Sequence, residues 1–122
     1  MATYTYEKCL ENSYKVNWRI EDVIGGRQFD PARTWLPAKL SGAGAITCLN
    51  ADEKRLLTHV EMGAYAHLVG YVEEFIAPTI LHLAQDFEID QRDGFDALTN
   101  FASEEVKHMN LFRAVRGLID ET

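Results

Sequence analysis

Glu105 and His108 stand three residues apart in "EEVKHMNL", and Glu73 and Glu74 stand side by side in "HLVGYVEEFIAP". Carboxylates and imidazoles are the side chains that share protons and bind metals, and here they sit in stretches apolar enough for a helix core. On a helical wheel centred on Glu105, the residues Leu98, Phe101, Ala102, His108, Met109, Phe112 and Ile119 fall within about 60° of it. A carboxylate on such a stripe is costly unless it is paired, hydrogen-bonded or bound to a metal. A lone Glu-x-x-His is a weak signal, so the elements around it must decide its meaning.

Those elements follow from helical spacing and its punctuation. In "LNADEKRLL", Asn50 and Glu53 form a capping-box pattern that starts a long helix, and apolar residues then recur at helical spacing through about Phe87. Pro78 falls inside that run and predicts a kink or local break. After "EIDQRDG", a second helix is expected from about Phe95 to Ile119 with Asp93 as its N-cap. The connection is short, which makes the two helices antiparallel neighbours. Upstream, residues 4–16 predict a short amphipathic helix, followed by an arm broken by Gly25, Gly26, Pro31, Pro37 and the 42–44 stretch. The arm holds Trp18 and Trp35, whose rings gain by lying against the helices. The expected fold is all-α and one domain over 1–122: an N-terminal helix and arm over 1–49, then a helical hairpin over 50–122.

In that hairpin Glu74, Glu105 and His108 come to one level, about 21 to 26 Å of helix from the loop. Glu74 shares its face with Val60, Ala64, His67, Tyr71 and Leu81. Glu73 shares a strip of small residues, Gly63, Ala66, Gly70 and Ala77, that suits close helix packing. Glu74 is therefore expected to be the inward carboxylate, with Glu73 as the alternative. His67, one heptad before Glu74, is a candidate further ligand or hydrogen-bond partner. A single Glu on one helix and Glu-x-x-His on its neighbour is half the ligand set of a carboxylate-bridged di-metal site in a ferritin-like bundle. Oxygen-rich ligands with one imidazole per metal suit iron, or manganese, better than a structural zinc. The alternative is a Glu–His hydrogen bond in a metal-free core.

Two segments carry a family resemblance: "YAHLVGYVEEFIAP" from Tyr65 to Pro78 and "FASEEVKHMNLFR" from Phe101 to Arg113. They resemble bacterial ferritin-like di-iron proteins, and within that superfamily a group distantly similar to p-aminobenzoate N-oxygenase. The likeness extends over roughly residues 13–120, with its specificity in the two helical segments. It implies a ferritin-like fold in which Glu74 is the first helix's carboxylate ligand, Glu105 the bridging carboxylate and His108 the imidazole ligand. It also implies an oxidoreductase that activates O2 at a di-iron site and acts on a small molecule, with Phe75, Phe101 and Phe112 around the site controlling access.

The family pattern has a third and fourth core helix with another Glu and another Glu-x-x-His, and these do not occur within the 122 residues. A hairpin with one apolar face needs a second such face, and a two-fold copy supplies it. The chain is thus expected to be half of a four-helix bundle completed as a homodimer, with the site shared between chains. The competing expectation is a halved or truncated form of a longer oxygenase. Two other readings use the same residues: an iron-handling ferroxidase or storage protein, and a metal-free helical dimer serving as an interaction module.

Composition excludes other classes. A formal net charge of -7 and a pI near 5.0 leave no basic surface for nucleic acid. No apolar run approaches the ~18 residues of a membrane span, and a cytoplasmic location is expected. Cys9 and Cys48 follow neither a metal nor a disulfide spacing and are expected as free thiols. His59 and His82 lack a carboxylate at ligand spacing, Glu61 lies too far from the Glu105 level, and Glu104 points to the boundary or surface.

Overall fold

The computed structural model describes residues 4–88 and 90–122, and among them the ordered elements are all helical. Helix α1 spans Tyr6–Lys15, a short α2 spans Ile20–Val23, and a 3-10 turn covers Ala43–Ala45. Two long helices follow, α3 over Ala51–Ala84 and α4 over Arg92–Asp120.

Helix α3 begins as its sequence dictates. The Asn50 side chain accepts from the Glu53 N–H at 3.0 Å, and the Glu53 carboxylate accepts from the Asn50 N–H at 2.8 Å. This reciprocal cap satisfies two amides that the first turn leaves free. Asn50→Ala should cost about 1 kcal/mol of stability, read as a lower urea midpoint with an unchanged slope. The helix continues through Pro78 without the expected break. Beside that proline, the Thr79 hydroxyl donates to the Phe75 carbonyl at 2.7 Å. The regular helix ends at Ala84, and three tighter turn bonds carry the winding on to Phe87.

The start of α4 differs from expectation. Its N-cap is Gln91, and Asp93 lies inside the first turn. The Gln91 side chain is engaged elsewhere, accepting from the Glu88 N–H at 3.2 Å, and the Gln91 carbonyl takes the Gly94 and Phe95 amides. Asp93 acts there as a negative charge beside the positive end of the helix dipole rather than as a cap.

The two long helices pack antiparallel, with Glu73 beside His108, Gly70 against Phe112 and Phe87 against Gly94. They meet along small residues. Ala66, Ala77 and Ala84 of α3 and Ala97 and Ala102 of α4 are buried, and a Cβ added at Gly70 would come within 3.2 Å of the Phe112 Cβ. Small side chains allow close helix approach, and they turn the larger apolar ones outward. Leu56, Val60, Leu68, Tyr71, Val72, Phe75 and Leu81 are all exposed on α3, and no large side chain among the described residues is fully buried.

The N-terminal part lies against the hairpin. Helix α1 crosses α4 and is tied to it by Asn100, whose amide donates to the Ser13 hydroxyl at 2.8 Å. The arm is pinned to the start of α3. The Trp35 ring stacks on His59 at 3.9 Å, the Trp35 N–H donates to the Thr58 hydroxyl, and Glu61 accepts from the Ser41 hydroxyl and the Gly42 N–H. Cys9 and Cys48 are free and exposed. No described helix is long and apolar enough to cross a membrane.

Candidate metal centre

The antiparallel register brings Glu73 of α3 to Glu105 and His108 of α4. Ligand-type atoms of these three side chains all lie within 4.8 Å of one another. His108 Nδ1 is 2.9 Å from Glu105 Oε2 and 3.8 Å from Glu73 Oε1. Glu105 is buried, with 5% of its surface exposed, as the wheel placed it. Only 13% of the Glu73 side chain is exposed, and its Oε2 atom is buried with no hydrogen-bond partner.

Electrostatics registers this crowding. The Glu73 carboxyl is pushed up to about 7, first by burial and then by the neighbouring Glu105 carboxylate, with the His108 imidazole partly offsetting both. Two largely buried carboxylates close together cannot both hold full charge without a compensating cation.

Trp18 lies beside His108 at the edge of the cluster. Its indole stacks on the His108 ring at 5.7 Å with 14° between the planes. Lys107 joins the Asn17–Trp18 segment to α4: its ammonium donates to Asn17 Oδ1 at 2.6 Å and to Glu104 at 2.8 Å, and lies 5.8 Å from the Trp18 ring. No family model, curated protein or solved structure matches this chain. The site is therefore read from its own geometry.

That geometry corrects the preference between the paired carboxylates: the inward one is Glu73, not Glu74. The Glu74 side chain is 52% exposed and lies 3.7 Å from Arg113. His67 is exposed and lines the same outer groove as Glu74, with Gly70, Met109, Phe112 and Arg113, away from the cluster. The reason is packing distance. The helices close along the Ala66–Gly70–Ala77 strip, and Glu73 shares that strip, whereas the large residues around Glu74 hold a neighbour further off.

Of the three phenylalanines expected to control access, two stand exposed within the single chain. Phe75 and Phe101 are exposed at 57% and 43%, and only Phe112 turns toward α3, against Gly70. Glu104 pairs with Lys107 at the boundary, Glu61 anchors the arm and His59 is held by Trp35 and the Arg33 carbonyl, so none of the three joins the cluster. Trp18 lies against the helices as its apolar ring implies, but a tryptophan in an irregular arm carries no periodicity that would give it the address over His108.

Proposed function

We propose that Glu73, Glu105 and His108 bind a transition metal, and that the protein is a ferritin-like non-haem di-iron oxidoreductase whose site is shared by two chains. The observation that carries this reading is the buried Glu73 Oε2, unpartnered and set among a second carboxylate and an imidazole. A buried carboxylate oxygen with no donor is the kind of atom that a cation satisfies. Two carboxylates and one imidazole per chain match iron or manganese in donor type.

In this scheme Glu73, Glu105 and His108 of each chain would together hold the metals, with Glu73 in the place expected of Glu74 and Glu105 in the bridging role that the resemblance implies. A bound di-iron pair supplies electrons to O2 and the oxidising power to act on a small-molecule substrate. The chain's own residues position and shelter it. The ring contact with Trp18 fixes the His108 plane, and the indole, the α3–α4 seam and the Lys107 bridge keep bulk water from that side of the cluster. The exposed apolar residues of α3 support the dimer, because a single hairpin leaves them without a partner.

The test is metal content and mass in solution, on protein purified without chelator and then loaded anaerobically with ferrous iron. About one iron or manganese per chain in a dimer, followed by O2 uptake, supports the reading. A large shell that accumulates iron would point to storage instead. A folded protein that takes up no metal, and whose stability ignores chelators, sinks the metal reading and leaves a helical interaction module.

A further inference from the structure

On α3, Tyr65, Val69, Val72, Ile76, Thr79 and Leu83 recur at alternating spacings of four and three, the heptad spacing of a helix that docks on another helix. The only Asp, Glu, Lys or Arg residues between Tyr65 and Leu83 are Glu73 and Glu74, and neither lies on this seam. The seam is open. Tyr65, Val72 and Leu83 are 46%, 45% and 46% exposed, and Leu68 and Phe75 beside it are 62% and 57% exposed. Val72, Phe75, Ile76, Thr79 and Ile80 also line one continuous apolar groove.

Three properties of this seam identify what covers it. It lies roughly a quarter turn, about 100°, round α3 from the Ala66–Ala77–Ala84 stripe that contacts α4, which is the angle at which the corner helix of a four-helix bundle meets its second neighbour. Its midpoint between Tyr65 and Leu83 is position 74, one residue from Glu73. The half-exposed aromatics Tyr65 and Phe75 alone offer on the order of 200 Å², given about 150–250 Å² per aromatic side chain. With Leu68, Val69, Val72, Ile76 and Leu83 the patch comes to roughly 500 Å², so two copies would bury about 1,000 Å², the lower bound for a specific interface.

We infer that this α3 seam is the two-fold interface with a second copy of the chain, the two α3 helices crossing antiparallel with the axis at position 74, one residue from Glu73. An isologous contact needs a self-complementary patch, and an uncharged heptad seam centred on its own midpoint is one. The axis sets Val72 against the partner's Ile76 and brings the two carboxylate and imidazole clusters to the same height. This inference rests on the proposed shared site for what the second copy contributes. The contact itself is a matter of apolar packing alone.

The test therefore uses metal-free protein. Val72→Asp places a charge in the seam, and Leu81→Asp places the same charge on the nearly opposite flank of the same helix, at a residue of similar exposure, 47%. Mass in solution is measured across a dilution series, with helical circular dichroism confirming that each variant is folded. The expected result is a wild-type dimer, a Leu81→Asp dimer and a Val72→Asp protein whose dissociation constant rises on the order of a hundredfold or more. A monomeric wild type, a dimeric Val72→Asp, or equal loss in both folded variants overturns the interface. Metal uptake is scored separately on the wild type, so a dimer that binds no metal defeats the site reading and leaves the interface standing.

Discussion

Glu73→Ala should lower the affinity for ferrous iron by more than about a hundredfold, while Glu74→Ala should change it by less than about threefold. The two residues are adjacent and chemically identical, so the contrast isolates geometry. Glu73 contributes a carboxylate whose atoms lie in a cluster 4.8 Å across, whereas Glu74 is half exposed beside Arg113. Removing the latter deletes one surface ion pair, which is worth at most about 1 kcal/mol. The combined Glu105→Ala, His108→Ala variant should retain no metal at all. It should still fold, because in the metal-free protein Glu105 is a buried carboxylate beside another carboxylate, and its loss relieves repulsion. Elemental analysis after desalting reads all three variants, and circular dichroism shows whether the helices persist. Equal effects at Glu73 and Glu74 would mean that the hairpin register differs from the one described.

The sequence made the hairpin legible because its signals are local. Asn50 and Glu53 announce a capping box within four residues, and the Glu105 stripe announces itself through a period that any helix must obey. The register was legible too, since a short connection fixes which levels of two antiparallel helices meet. The choice between Glu73 and Glu74 depended on which face of an apolar helix turns inward, and α3 is apolar on every side. Its hydrophobic residues could not point to the contact; the glycines and alanines did, since close approach selects small side chains even where larger ones would bury more area. The start of α4 failed for a related reason. Asp93 is a good cap by type, but the Gln91 side chain had already bound the Glu88 amide and drawn the helix start back by two residues. Pro78 predicted a kink or local break, and the helix runs through it unbroken.

The second large effect is on the pH dependence of the metal-free protein. Glu73 has an ordinary carboxyl near 4.5 when unfolded and is pushed up to about 7 in the fold. Between those values the folded state binds a proton that the unfolded state has released, so stability falls as pH rises through this window and the full penalty is present above about 7. Below about 4.5 both states are protonated at this site and the penalty vanishes. Glu73→Gln carries a neutral, donating amide at every pH and so imitates the protonated acid. Urea unfolding should therefore find the variant and the wild type equal near pH 4.5 and the variant more stable at pH 8, by on the order of 2 kcal/mol. Taking the difference between the two proteins removes the contributions of carboxylates remote from the Glu73–Glu105–His108 cluster, which titrate alike in both. A gap that stays constant with pH would show that Glu73 is charged in the fold throughout and that burial does not govern it. Ferrous iron should invert the comparison in the wild type, because a cation stabilises the very charge that the empty site disfavours. The wild type then gains stability from iron as pH rises through about 7, and Glu73→Gln, with no carboxylate to offer there, does not.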